Sequence, residues 1–250
     1  MPLLADFVFR LAFGLALAMG LTSPARVTSG YFRNHLYVLL GLNVIATLAA
    51  LADHERFLVW PALTAAVLSY FGAVAWLYEK SRLGIAALFL VAALDLAGSW
   101  LNHSPASNLT PLGATLHALD PVTGGLLLGS TMAAMFLGHW YLNTPTMELA
   151  PLRRLLKLMV GSLTLRIAAS GVGLTGLVAG GQLASLNLPL LALRWLAGLA
   201  AMVVVIWMTW QTLKIPNTQS ATGILYVGVI LTFLGELVSL LLSRASPFPV

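Results

Sequence analysis

The sequence predicts an all-α integral membrane protein with eight transmembrane helices. Composition is the first reason: 59% of the residues are hydrophobic and 8% are charged, whereas a soluble domain carries about 25% charged residues. A mean hydropathy of +0.91 leaves no ordinary hydrated surface, so lipid must be the solvent for most of the chain. The second reason is pattern. The apolar residues form long continuous blocks rich in Leu and Ala, not the short alternating strands of a membrane barrel. The third is punctuation, because charge or turn residues separate those blocks at lengths that suit a bilayer.

The first span, Phe7–Leu21, is short, holds Arg10 and follows directly on Asp6. Those charges argue against a cleavable signal and for a retained, weak first span. Thr22-Ser23-Pro24-Ala25-Arg26 closes it. The second span, Tyr31–Leu51, ends at Asp53-His54-Glu55-Arg56, and the third, Phe57–Tyr78, at Glu79-Lys80-Ser81-Arg82. The fourth, Leu83–Leu101, leads into the longest loop, 102–120, which holds His103, Ser104-Pro105, Thr110-Pro111 and His117. The fifth span is Pro121–Leu142, the sixth Leu155–Val178 and the seventh Leu188–Leu213. Lys214-Ile215-Pro216-Asn217 separates the seventh from the eighth, Thr222–Leu242. The chain is therefore expected to be a single polytopic domain, 1–250, divided by its long loop into groups 1–101 and 121–250. Two four-helix bundles side by side are the natural architecture.

Orientation follows from the basic residues. Arg26, Arg33, Lys80, Arg82, Arg153, Arg154, Lys157 and Lys214 fall on one side, against Arg56 and Arg244 on the other. By the positive-inside rule the first side is cytoplasmic and both termini face outward. The same placement explains the net charge of +5 as topology marking, so nucleic acid is not an expected partner. The lipid bilayer is, and any water-soluble catalytic part must come from another chain. A bacterial inner membrane is the expected location.

Several chemistries are excluded or disfavoured. There is no cysteine, which rules out disulfides, c-type haem attachment and cysteine-ligated iron–sulfur clusters within this chain. No H-E-x-x-H or G-x-S-x-G motif is present, and neither a catalytic triad nor a metal site is assigned. Gly171-Val172-Gly173-Leu174-Thr175-Gly176 fits the dinucleotide pattern G-x-G-x-x-G, but it lies within a span, where glycines provide a smooth surface for helix packing. Asn102-His103-Ser104 and Asn108-Leu109-Thr110 match glycosylation sequons, which matter only in a eukaryotic secretory context.

The candidate functional residues are charges within spans. A charge at a helix centre costs about 2.5–3.5 kcal/mol on insertion scales, so such residues usually have a partner and often a role. Glu236 shares a face of span eight with Thr232, Ser239 and Ser243. Arg166 lies between Ser162 and Ser170 on span six, Asp95 lies one turn before Ser99 on span four, and Arg194 lies near the outer end of span seven. All four fall between mid-membrane and the outer half. One reading is structural: Glu236 pairs with Arg194 or Arg166, and Asp95 with the remaining arginine. The other is an outward-facing polar cavity that serves a proton-coupled step or binds a quinone headgroup. The two are compatible. A second cluster, His35 and His139, lies near the opposite face at similar depth and could ligate a b-type haem axially. Gly138-His139-Trp140-Tyr141 and the Tyr31 to Tyr37 stretch read more simply as interfacial anchors, so haem is not expected. His54, His103 and His117 lie in loops and are not assigned as ligands.

The last two spans, from Leu193-Arg194-Trp195 to Gly235-Glu236-Leu237, resemble the end of the membrane-anchor subunits of the dimethyl-sulfoxide-reductase and polysulfide-reductase type. Those anchors have eight helices, and the sulfoxide-reductase branch carries an Arg in its seventh span and a Gly-Glu pair in its eighth. The resemblance covers about fifty residues. It implies a quinol-binding subunit, usually without haem, that passes electrons to an iron–sulfur partner, with Glu236 and Arg194 at the quinone site or on a proton pathway. The expected function is thus an integral membrane subunit of a respiratory or other electron-transfer complex that contacts quinone or quinol. A small transporter or permease and a structural or assembly subunit without its own chemistry are the alternatives.

Overall fold

The architecture was taken from a computed structural model, which describes residues 2–102, 110–144, 146–182, 187–215, 217–244 and 246–250. The described residues contain eight helices long and apolar enough to cross a membrane. We number them α1 (Pro2–Gly20), α2 (Ser29–Ala52), α3 (Arg56–Leu77), α4 (Ser81–Asn102), α5 (Pro111–Asn143), α6 (Ala150–Ala179), α7 (Leu188–Thr212) and α8 (Thr218–Arg244).

Helices α1 to α4 pack in a ring, each on the next, and α4 closes on α1. Helices α5 to α8 form a second ring in the same way. The main seam between them is α1 against α5, and these two are the innermost helices, each 78% buried over its most apolar stretch. The first span, the weakest by sequence, is therefore among the most enclosed helices of the molecule. Small residues make the seam possible. A Cβ on Gly14 would lie 1.7 Å from the carbonyl oxygen of Gly125, and one on Gly129 would lie 1.8 Å from the carbonyl carbon of Gly14. Backbone approach of this kind needs glycine and is a standard device for helix association in lipid.

Short connections fix the first ring. Three residues join α2 to α3 and three join α3 to α4. Each turn carries a non-glycine residue in the left-handed region, His54 at φ 61 and Glu79 at φ 57. The next amides bond back to the helix ends, Glu55 to Ala50 and Lys80 to Ala75, which satisfies carbonyls that the helix leaves free.

The loop expected over 102–120 is corrected by the structure. Helix α5 begins at Pro111, with Thr110 as its N-cap accepting from the amide of Gly113 at 3.1 Å. Its 33 residues span about 50 Å at 1.5 Å per residue, well beyond the hydrocarbon thickness of a bilayer. Pro121, expected to open span five, lies inside this helix. Lacking an N–H, it releases the carbonyl one turn earlier, and buried neighbours allow such a break within a membrane helix. His117 and Asp120 are consequently helical and buried. His103 and parts of both glycosylation sequons lie outside the described residues.

Helix α7 is not regular. Arg194–Ala200 is wound as a π-helix between two α-helical stretches, a local widening often found at functional positions. At this point Gly198 meets Gly235 of α8, where a Cβ on Gly198 would lie 2.7 Å from the Gly235 Cα. After α8, residues 246–250 fold back over the helix ends. The Val250 side chain is fully buried, and Phe248 lies over Gly176. The glycines of the 171–176 pattern thus serve packing: Gly173 and Gly176 receive this returning segment.

Candidate functional site

Six charged side chains from five helices form one continuous chain inside the membrane region. It begins on α1, where Asp6 and Arg10 are four residues apart and so share a face. The Arg10 guanidinium donates to both oxygens of Asp6, Nε to Oδ1 at 2.9 Å and Nη2 to Oδ2 at 3.1 Å. Its third nitrogen, Nη1, crosses the seam to Asp120 Oδ2 on α5 at 2.5 Å. The other oxygen of Asp120 accepts from Arg166 Nη1 of α6, also at 2.5 Å. Arg166 then grips Glu236 of α8 in a fork, Nε to Oε1 at 3.0 Å and Nη2 to Oε2 at 2.7 Å. Glu236 Oε1 accepts a further bond from Arg194 Nη1 of α7 at 2.9 Å.

Hydroxyls complete the chain. Ser99 of α4 donates to Asp6 Oδ1 at 2.6 Å. Thr123 and Ser239 accept from Arg166 at 3.1 and 3.0 Å, and Ser170 accepts from Arg194 Nη2 at 3.5 Å. Ser239 in turn donates to the Val250 carbonyl oxygen of the returning segment. Every charged member is at most 3% exposed. Three carboxylates and three guanidiniums make the set neutral, as burial in a low-dielectric medium demands. Arginine suits it because a planar fork of donors can hold two carboxylates at once.

Local packing shapes the site. Gly124 of α5 leaves the space that Glu236 and Arg166 fill: a Cβ there would lie 2.6 Å from Glu236 Oε2 and 3.3 Å from Arg166 Nη2. Gly198 and Gly235 bring α7 against α8 so that Arg194 reaches Glu236. The π-helical turn starts at Arg194 itself. Its Nε has no partner among the described residues.

The sequence-derived candidates divide accordingly. Glu236, Arg194 and Arg166 come together, and Glu236 takes both arginines instead of one. Asp95 does not pair with an arginine, contrary to expectation. It is fully buried on α4, accepts from Asn43 Nδ2 of α2 at 3.4 Å, and its Oδ1 has no partner among the described residues. The reason is that Arg10 and Asp120, neither counted among the candidates, complete the pairing without it. In the sequence Asp6 and Arg10 form an i, i+4 pair that interrupts an apolar run, which is the signal for their pairing. Asp120 is masked in the sequence by Pro121, whose ring favours a helix start but here lies inside α5. Thr110-Pro111, an N-cap followed by proline at the first helical position, was the available signal for the earlier helix start.

The Glu236 carboxylate is fully enclosed among the described residues. The two histidines near the opposite face have separate settings. His35 is buried, stacks on Phe136 with ring centroids 4.3 Å apart, and bonds through Nδ1 to the Tyr31 carbonyl at 2.6 Å. His139 is exposed and contacts the Tyr226 hydroxyl at 3.4 Å. His54 occupies its tight turn, and His117, placed by the structure on α5 and not in a loop, contacts the Pro247 carbonyl through Nε2 at 3.2 Å. Comparisons with protein families, with curated proteins and with solved structures returned no match.

Proposed function

We propose that this chain is a membrane subunit of a respiratory or other electron-transfer complex, in a bacterial inner membrane, and that its buried ion chain couples proton uptake to events in both helix rings. The observation that carries this reading is the unbroken run Asp6–Arg10–Asp120–Arg166–Glu236–Arg194 across the seam. Each interior member is shared by two opposite charges. A proton arriving on Glu236 removes the charge that holds Arg166 and Arg194 together. The two guanidiniums then repel, and Arg166 is drawn toward Asp120, which loosens Asp120 from Arg10. One protonation at α8 is thereby felt at α1. Coupled groups of this kind titrate as a set and not one at a time.

The electron-transfer setting is supported by the resemblance of the last two spans to quinol-oxidising anchors. The residues that carry it, Arg194 and Gly235-Glu236, are the ones that meet at the α7–α8 contact. Quinol oxidation releases protons, and the Glu236 carboxylate would accept one, while Arg194 keeps its charge and loses its anionic partner. A second reading, an assembly subunit, is favoured by the full pairing of all three carboxylates. In that reading the chain of charges is a clasp between the rings.

The test is purification of the tagged chain with its partners in mild detergent, followed by quinol turnover with wild type and Glu236→Gln. Co-purifying iron–sulfur or cytochrome subunits, and turnover reduced at least tenfold by E236Q in a complex that still assembles, are expected. A chain without redox partners, or unchanged turnover, overturns the reading in favour of the clasp.

A further inference from the structure

At the end of the molecule opposite the termini, the start of α6 and the end of α7 leave a groove between them. One part of it is a cavity of about 320 Å³ lined by Arg153, Lys157, Trp210, Leu213 and Lys214. A second hollow, of about 540 Å³, is lined entirely by the start of α6 and the residues just before it; it shares Arg153 and Lys157 with the first and adds Arg154 and Glu148. Four cations thus line two neighbouring hollows that share Arg153 and Lys157. No carboxylate among the described residues pairs with any of them. Glu148, the one acidic residue of the lining, is 3.6 Å from Arg26 instead.

The groove is built and not merely basic. Arg153 is held in place by donating from Nη2 to the carbonyl oxygen of Leu213 at 3.1 Å, just past the end of α7. That bond uses one donor and leaves the rest of the fork for a ligand. Lys157 lies one turn deeper on α6, where a long side chain reaches back to the polar boundary. Below the cations the exposed faces of the two helices are apolar. Val203, Trp207 and Trp210 form an exposed stripe on α7 that leads up to Lys214, and Val160 continues the exposed face of α6 below Lys157.

We infer that this groove binds the phosphate headgroup of an anionic phospholipid, with the acyl chains lying along the Trp207–Trp210 stripe. The ligand chemistry is a phosphate-bearing anion. The lipid form is favoured over free phosphate because the site is charged only at the membrane boundary and apolar along the spans. Basic pockets between membrane helices commonly hold such headgroups. The four-cation lining, spread over two hollows that share Arg153 and Lys157, suits a lipid with two phosphates better than one with a single phosphate.

The site can be tested on the full chain, with any partners it retains, by native mass spectrometry after exchange into phosphatidylcholine, phosphatidylglycerol or cardiolipin. Wild type should retain cardiolipin over phosphatidylcholine by tenfold or more. The triple variant Arg153→Gln, Lys157→Gln, Lys214→Gln should lose that preference. The control Arg33→Gln, Arg82→Gln removes two basic residues from other helices and should keep it. Equal loss in the control, or no preference in the wild type, overturns the site. Displacement of the lipid by millimolar inorganic phosphate identifies the free anion as the ligand and overturns the lipid assignment. Thermal unfolding of the triple variant at the wild-type temperature, expected for exposed residues, shows that lost binding is not lost folding.

Discussion

Asp120 and Asp95 are both fully enclosed aspartates within membrane helices, yet their settings predict opposite sensitivities. Asp120 holds Arg10 and Arg166, one on each oxygen. Asp120→Asn leaves two buried guanidiniums facing each other with no anion between them. Removing one partner of a buried pair costs about 3–5 kcal/mol, and the substitution is expected to lower the unfolding temperature in detergent sharply. Asp95→Asn keeps the shape and breaks no ion pair, so its cost should stay below about 1 kcal/mol, the net worth of one ordinary hydrogen bond. Similar melting of the two variants would show that the ion chain contributes no stability. In the sequence Asp95 and Glu236 are equivalent, both acids within apolar runs. The sequence does not tell which acid faces an arginine, since that depends on helix rotation and on which helices are neighbours.

At the level of the helix, glycines divide into those that permit contact and those that do not. Gly129→Ala should disrupt the α1–α5 seam, because its Cβ would meet backbone and not a flexible side chain. Gly41→Ala meets nothing within 4 Å and should stabilise α2 by up to about 1 kcal/mol through helix propensity. Comparing the two in one unfolding assay separates steric closeness from composition. The π-helical turn of α7 gives another test. Deleting Leu196, which is 68% exposed, removes the extra residue that widens the turn. Helix geometry then rotates Leu188–Arg194 by about 100°, which carries Arg194 away from Glu236. The deletion should destabilise the protein as much as Arg194→Gln does. Adding R194Q to the deletion should bring little further loss, since coupled changes do not add.

Over the whole molecule, the two rings meet mainly through α1 and α5, and the ion chain crosses that same seam. Residues 1–102 and 110–250, expressed as separate segments, should therefore co-purify. Arg10→Gln should weaken their association, and 1 M salt should not, because screening reaches exposed charges far more than buried ones. Salt-induced separation of the halves would indicate that surface charges hold them instead. Orientation belongs to this scale as well. The basic groove lies at the end that carries most of the basic residues, the end that the positive-inside rule would place in the cytoplasm.

The class of the protein, the number of its spans and the approximate place of most of them follow from the sequence alone. They depend on apolar length and on charge at the breaks, which are local and additive properties. The meeting of Arg166 and Arg194 on Glu236 was also within reach, because acids and bases inside spans must find partners. What only the tertiary structure decided is how the pairs are connected. Asp6, Arg10 and Asp120 join the chain because α1 lies against α5 through Gly14, Gly125 and Gly129, and because α5 continues through Pro121. Close backbone approach and helix rotation are relations between distant segments. No local pattern in either segment records them.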